Sequence, residues 1–80
     1  MTETTSFEEE MTRDELASYL HSIADEFARG EGEGATIQVG NKRVSLQPGN
    51  EVACEVNVKE RSALIRKGRQ EMTITMNWRT

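Results

Sequence analysis

The chain is poor in the residues that build reactive centres. Its 80 residues include one cysteine, one histidine, one proline, one tryptophan, one tyrosine and two phenylalanines. A single cysteine excludes an internal disulfide framework, and no Cys or His pair has the spacing of a zinc site. No apolar run approaches the roughly 18 residues of a membrane span, and the acidic N-terminal stretch does not have the order of a secretory signal, so a soluble cytoplasmic protein is expected. Bulk is missing too: a chain of this length makes one domain, buries roughly 60% of its unfolded surface and has no spare volume for an enclosed catalytic cavity.

Lysine is also scarce, with Lys42, Lys59 and Lys67 against seven arginines. The charge is unevenly placed. From Met1 to Gly34 ten acids face only Arg13 and Arg29, a balance of −8; from Ala35 to Thr80 four acids face eight bases, a balance of +4. An acid-rich, lysine-poor surface suits a high-salt cytoplasm, where screening removes most self-repulsion, although ordinary compositional drift gives the same net −4.

What the chain does have is strand-period alternation. Val52, Cys54, Val56, Val58 and then Met72, Ile74, Met76, Trp78 step by two, which predicts two strands of one sheet sharing an apolar face. They pair as Val52 with Trp78, Cys54 with Met76, Val56 with Ile74 and Val58 with Met72, all facing a helix. The opposite face then carries Glu51, Glu55, Asn57, Lys59, Glu71, Thr73, Thr75 and Asn77 and is wet.

Upstream, Met1–Ser6 reads as a frayed tail, and Phe7, Glu9 and Met11 keep a loose period of two that leaves open a short edge strand. Thr12 with Glu15 forms a capping box, flanked by Met11 and Leu16 at the spacing of a hydrophobic staple. Leu16, Tyr19, Leu20, Ile23, Ala24, Phe27 and Ala28 follow at helical intervals, predicting a helix over 13–29, roughly 25 Å long, that Gly30 ends. Ile37, Val39, Val44 and Leu46 predict a hairpin. A loop centred on Asn41 and Lys42 sets Val39 opposite Val44 and Ile37 opposite Leu46. Gln47, Pro48, Gly49 and Asn50 fit a type II turn. The predicted strands are 36–40, 43–47, 51–60 and 69–78, in one domain over 1–80.

The fold class is therefore α+β: one amphipathic helix packed on one face of an antiparallel sheet of four strands, with a fifth left open at Phe7–Met11. The helix opening TRDELASYLHSIADEFARG, the segment EVACEVNV and the terminal strand EMTITMNW resemble the amphi-Trp domain, a small family found in archaea including halophiles. The likeness spans roughly Phe7 to Trp78. It implies the fold and an archaeal origin, but no settled biochemical role, so no functional residue is carried over from it. The Arg61–Arg69 connection departs from the pattern in being unusually basic and apolar.

Sites of chemistry are hard to assemble. Gly30, Gly32 and Gly34 follow the helix at its negative end and carry Glu31 and Glu33, the reverse of a phosphate cradle, and lack the ligand ladder of a calcium loop. His21 has Asp25 one turn later as its one available orienting group. Cys54 is placed on the buried side of its strand, where a thiol is a small hydrophobe. Trp78 shares parity with Met76 and Ile74 and reads as core, so that Trp78→Ala is expected to cost about 3 to 5 kcal/mol. No catalytic, cofactor-binding or metal residue is assigned, and no membrane or small-molecule partner. The expectation is a non-enzymatic interaction module, binding a protein or itself, with Leu64, Ile65, Arg66, Lys67 and Arg69 as contact residues. The alternative is nucleic-acid binding through the basic Arg61–Arg69 segment.

Overall fold

The computed structural model describes residues 2–30, 32–62 and 68–79. Five elements follow in order: α1 (Arg13–Phe27), β1 (Ala35–Val39), β2 (Lys42–Leu46), β3 (Ala53–Arg61) and β4 (Arg69–Asn77). Among the described residues there is no helix long and apolar enough to cross a membrane.

The helix starts where its capping chemistry dictates. Thr12 is extended at φ −69°, ψ 162°, and its hydroxyl accepts from the Glu15 N–H at 3.1 Å while the Glu15 carboxylate accepts from the Thr12 N–H at 3.2 Å. Two otherwise unpaired donors are thereby satisfied reciprocally. Met11 and Leu16, the expected staple, line one shallow cleft with Phe7, Tyr19 and Val39. At the other end Ala28 returns its N–H to the Ala24 carbonyl at 2.9 Å, and Gly30 takes φ +99°.

Two side-chain bonds tie α1 to β1. The Tyr19 hydroxyl donates to the Gln38 carbonyl at 2.6 Å, and the Thr36 N–H donates to the Glu26 carboxylate at 2.8 Å. Tyr19, Ile23 and Phe27 are half-buried on this side, whereas Leu16 and Leu20 each keep 46% of their surface exposed. Ala35 is the one fully buried residue among those described.

β1 and β2 form an antiparallel pair with Ile37 opposite Val44, Ala35 opposite Leu46 and Val39 opposite Lys42. The expected register is thus displaced by two residues. The cause is Gly40, whose φ of +63° lets Gly40 and Asn41 make a two-residue turn, with Asn41 staying out of the positive-φ region as in a type II′ hairpin. The ring of Phe7 sits over this turn, so close that a Cβ at Gly40 would lie 2.9 Å from Phe7 Cδ2. Phe7–Met11 itself joins no strand.

The larger difference is in the sheet. The four strands make two separate antiparallel pairs, β1–β2 and β3–β4, in place of one four-stranded sheet. Gly49 does not adopt the positive φ that a type II turn at Pro48–Gly49 requires, so the expected turn is not formed, and β3 does not pair with β2. α1 meets β1 alone, and β3–β4 extends away as a ribbon. The outline is accordingly 52 × 28 × 24 Å, with a radius of gyration of 15.6 Å against about 12 Å for a compact chain of this length.

Candidate functional site

The ribbon's register is the one its alternation predicts: Cys54 lies opposite Met76, Val56 opposite Ile74 and Val58 opposite Met72. Strand pleating therefore puts these six side chains on one face, with Glu60 and Gln70 continuing the row at the tip. The expectation that they face the helix is not met. Val58 and Met72 are each 62% exposed, Val56 53%, Ile74 46% and Met76 41%. Cys54, expected to be buried, is exposed as well. Among the described elements, β3 and β4 pack on one another and α1 does not reach them, so no helix shields the apolar row.

At the base of the ribbon, Trp78 is half-buried rather than sealed in a core. Its ring meets Phe27 edge to face, centroids 5.7 Å apart and planes inclined by 78°. Phe27 also lines, with Glu26, Glu33, Pro48 and Val52, a cleft of about 240 Å³. Arg29 reaches Glu26 at 3.5 Å and Glu33 at 3.1 Å, so two carboxylates share one guanidinium there.

The tip has the opposite character. Lys59, Glu60, Arg61, Arg69 and Glu71 surround an open concavity of about 580 Å³. Lys59 lies opposite Glu71, but Arg61 lies directly opposite Arg69, an unfavourable like-charge pair on one face of a ribbon. Gly68 makes the strand entry possible, since any Cβ there would strike the Arg61 carbonyl oxygen. The ribbon's reverse face, from Glu55 and Asn57 to Thr73 and Thr75, is polar, with the Asn57 amide donating to the Glu55 carboxylate at 3.0 Å.

Of the residues expected to contact a partner, Arg69 is placed at the first position of β4, while Leu64, Ile65, Arg66 and Lys67 lie outside the described residues. His21 is exposed on α1, and no hydrogen bond or ion pair joins it to Asp25 among the described residues. No group of three or more His, Cys, Asp or Glu side chains suited to a metal ion occurs among them. Reading the sequence located the apolar row and missed its exposure, because alternation reports which side chains share a face and not what covers that face.

The model of one protein family, described as the Amphi-Trp domain, matches residues 1–80, the whole chain. No curated protein and no solved structure matches.

Proposed function

Since the chain belongs to the Amphi-Trp domain family over its full length, and since its long ribbon leaves an apolar face in water, we propose that it is a non-enzymatic protein-interaction module whose contact surface is that face. The observation that carries the reading is the set Val56, Val58, Met72, Ile74 and Met76, each 41–62% exposed. Fully burying such a side chain contributes about 1.5 to 3 kcal/mol, so removing the exposed half of all five from water contributes about 5 kcal/mol. That is comparable to the entire stability of a small domain. A single scattered apolar side chain calls for no explanation, but five in one row do. The favoured setting is a cytoplasm of high ionic strength, where apolar contact holds while surface charge is screened.

A photo-reactive phenylalanine analogue placed at position 58, on the apolar face, is expected to cross-link to protein in cells, and the same analogue at position 73, on the reverse face, to give none. Equal adducts at both positions, or none at either, would refute the reading.

The alternative is nucleic acid bound by Arg61, Arg66, Lys67 and Arg69. Around the described ends of that segment, Lys59, Arg61 and Arg69 are mixed with Glu60 and Glu71, and the ribbon's polar face has no aromatic side chain among the described residues on which a base would stack. Replacing the four basic residues by alanine separates the readings. A low-salt electrophoretic shift that is lost in this variant would favour nucleic acid, and one that persists would dispose of it.

A further inference from the structure

We propose that Arg61 and Arg69, opposed across the end of the β3–β4 ribbon, form a binding site for a single phosphate-class oxyanion. The site lies on the ribbon's polar side, which carries rows 53/77, 55/75, 57/73, 59/71 and 61/69, and it is independent of the apolar row on the other side.

Charge along that side comes first. Side chains directly opposite one another have Cβ atoms about 4.5 to 5.5 Å apart, so the two arginines share one small region, and like charges so placed destabilise the pair. No ion pair offsets this. Among the described residues the ion pairs are those of Arg29 with Glu26 and Glu33, and none engages Arg61 or Arg69. The sequence joining the two strands, residues 62–68, contains no acidic residue to neutralise them. Glu71 stands one rung back, about 6.8 Å along the strand, opposite Lys59, which cancels its charge, and Glu60 belongs to the apolar side. Two uncompensated positive charges therefore meet at an exposed end of the ribbon. Gly68 lies against the Arg61 carbonyl oxygen, so the backbones of the two strands approach closely there.

Geometry selects the ligand. A guanidinium presents a planar fork that one carboxylate fills with its two oxygens. Two forks need an anion with more acceptors, and a tetrahedral phosphate monoester, with three terminal oxygens and a charge near −2, serves both. The concavity of about 580 Å³ beside the pair is open, so the group reaches it from solvent.

The rungs behind the pair restrict the site to one such group. Lys59/Glu71, Asn57/Thr73 and Glu55/Thr75 follow with formal charges of 0, 0 and −1, against +2 at Arg61/Arg69. A nucleic-acid strand laid along the ribbon would set its next phosphates against these rungs, and by the third against a carboxylate, so its affinity would not grow with length. A lone phosphate meets none of that repulsion. Lys42 and Arg43 are the contrasting case: adjacent along β2, opposite Val39 and Gln38, they point to opposite sides of their hairpin and do not converge on one anion.

The test is a titration of the full chain with inorganic phosphate at constant ionic strength, followed by backbone amide chemical shifts, with acetate and a short single-stranded oligonucleotide titrated in parallel. Saturating shifts centred on Arg61, Gly68 and Arg69 are expected, with a dissociation constant on the order of 1 mM, and acetate should bind at least about tenfold more weakly. Arg61→Gln and Arg69→Gln should each raise the phosphate dissociation constant at least about tenfold, and Arg61→Lys, which keeps the charge and loses the fork, at least about threefold. Phosphate should raise the midpoint of thermal unfolding of wild type and of neither glutamine variant. Without phosphate each glutamine variant should unfold no earlier than wild type, because one of two repelling charges is gone. Shifts at Lys42 and Arg43 as large as those at Arg61 and Arg69, phosphate binding untouched by the glutamine substitutions, or earlier unfolding of those variants would overturn the site. Equal affinity for acetate and phosphate, or full binding by Arg61→Lys, overturns the two-fork assignment. An oligonucleotide held more than about tenfold more tightly than phosphate through the same arginines overturns the single-anion assignment in favour of nucleic acid.

Discussion

Replacing Trp78 by alanine tests the link between ribbon and helix. A fully buried tryptophan costs about 3 to 5 kcal/mol on truncation, but Trp78 is half-buried, so about 2 kcal/mol is expected. Of this, the edge-to-face contact with Phe27, at 5.7 Å between centroids, accounts for about 0.5 to 1.5 kcal/mol. For a domain of this size the midpoint of thermal unfolding should fall by roughly 8 to 16 °C. Urea unfolding followed by circular dichroism, at one fixed protein concentration so that association does not alter the comparison, gives the free energy. A double-mutant cycle with Phe27→Leu isolates the ring-to-ring part. The fluorescence of wild type adds a direct reading, since Trp78 is the one tryptophan in the chain and its emission should be shifted to the blue of an indole in water. A loss below about 0.5 kcal/mol, a coupling energy of zero, or emission like that of free indole would refute the placement.

Further substitutions examine the rest of the framework. Thr12→Ala removes the cap of α1 and should lower stability by about 1 kcal/mol, while Thr12→Ser should retain most of it; thermal unfolding by circular dichroism distinguishes the two. Gly40→Ala places a methyl group at φ +63° and against Phe7, and should cost about 1 to 2 kcal/mol for the backbone conformation plus the clash; pairing it with Phe7→Ala should relieve the second part only, as urea midpoints will register. Tyr19→Phe deletes the bond to the Gln38 carbonyl and should cost about 0.5 to 1.5 kcal/mol, with faster amide exchange in β1 as the local signature. Glu26→Ala frees the Thr36 N–H and should cost about 1 to 2 kcal/mol, whereas Glu26→Gln, which keeps an acceptor oxygen, should cost less in the same unfolding assay.

Legibility in the sequence followed the range of the interactions. The capping box was readable because both partners lie three residues apart, and the ribbon register because period-two alternation admits few pairings for Val56 and Ile74. The β1–β2 register was not, since the apolar residues Val39 and Val44 suggested a four-residue loop and the outcome turned on the backbone freedom of Gly40. Nor was the division into two sheets, because period-two alternation reports which side chains share a face and not which strands pair. The candidate site shows the same divide. Its residues were all named as one apolar face, yet the sequence assigned that face to the chain's own core, because burial is a long-range property decided by which surface arrives to cover it. The acidic cleft at Glu26 and Glu33 and the opposed Arg61 and Arg69 were visible only as a charge imbalance between the two halves of the chain.

Whether the ribbon face is left uncovered by its own chain is measured directly by the paramagnetic relaxation that a soluble probe induces in its methyl groups. Strong enhancement at Val56, Val58, Met72 and Ile74, in step with their 46–62% exposure, is the expected result. Protection of these groups together with nuclear Overhauser contacts from Ile74 to Leu16 or Leu20 within the same chain would contradict it.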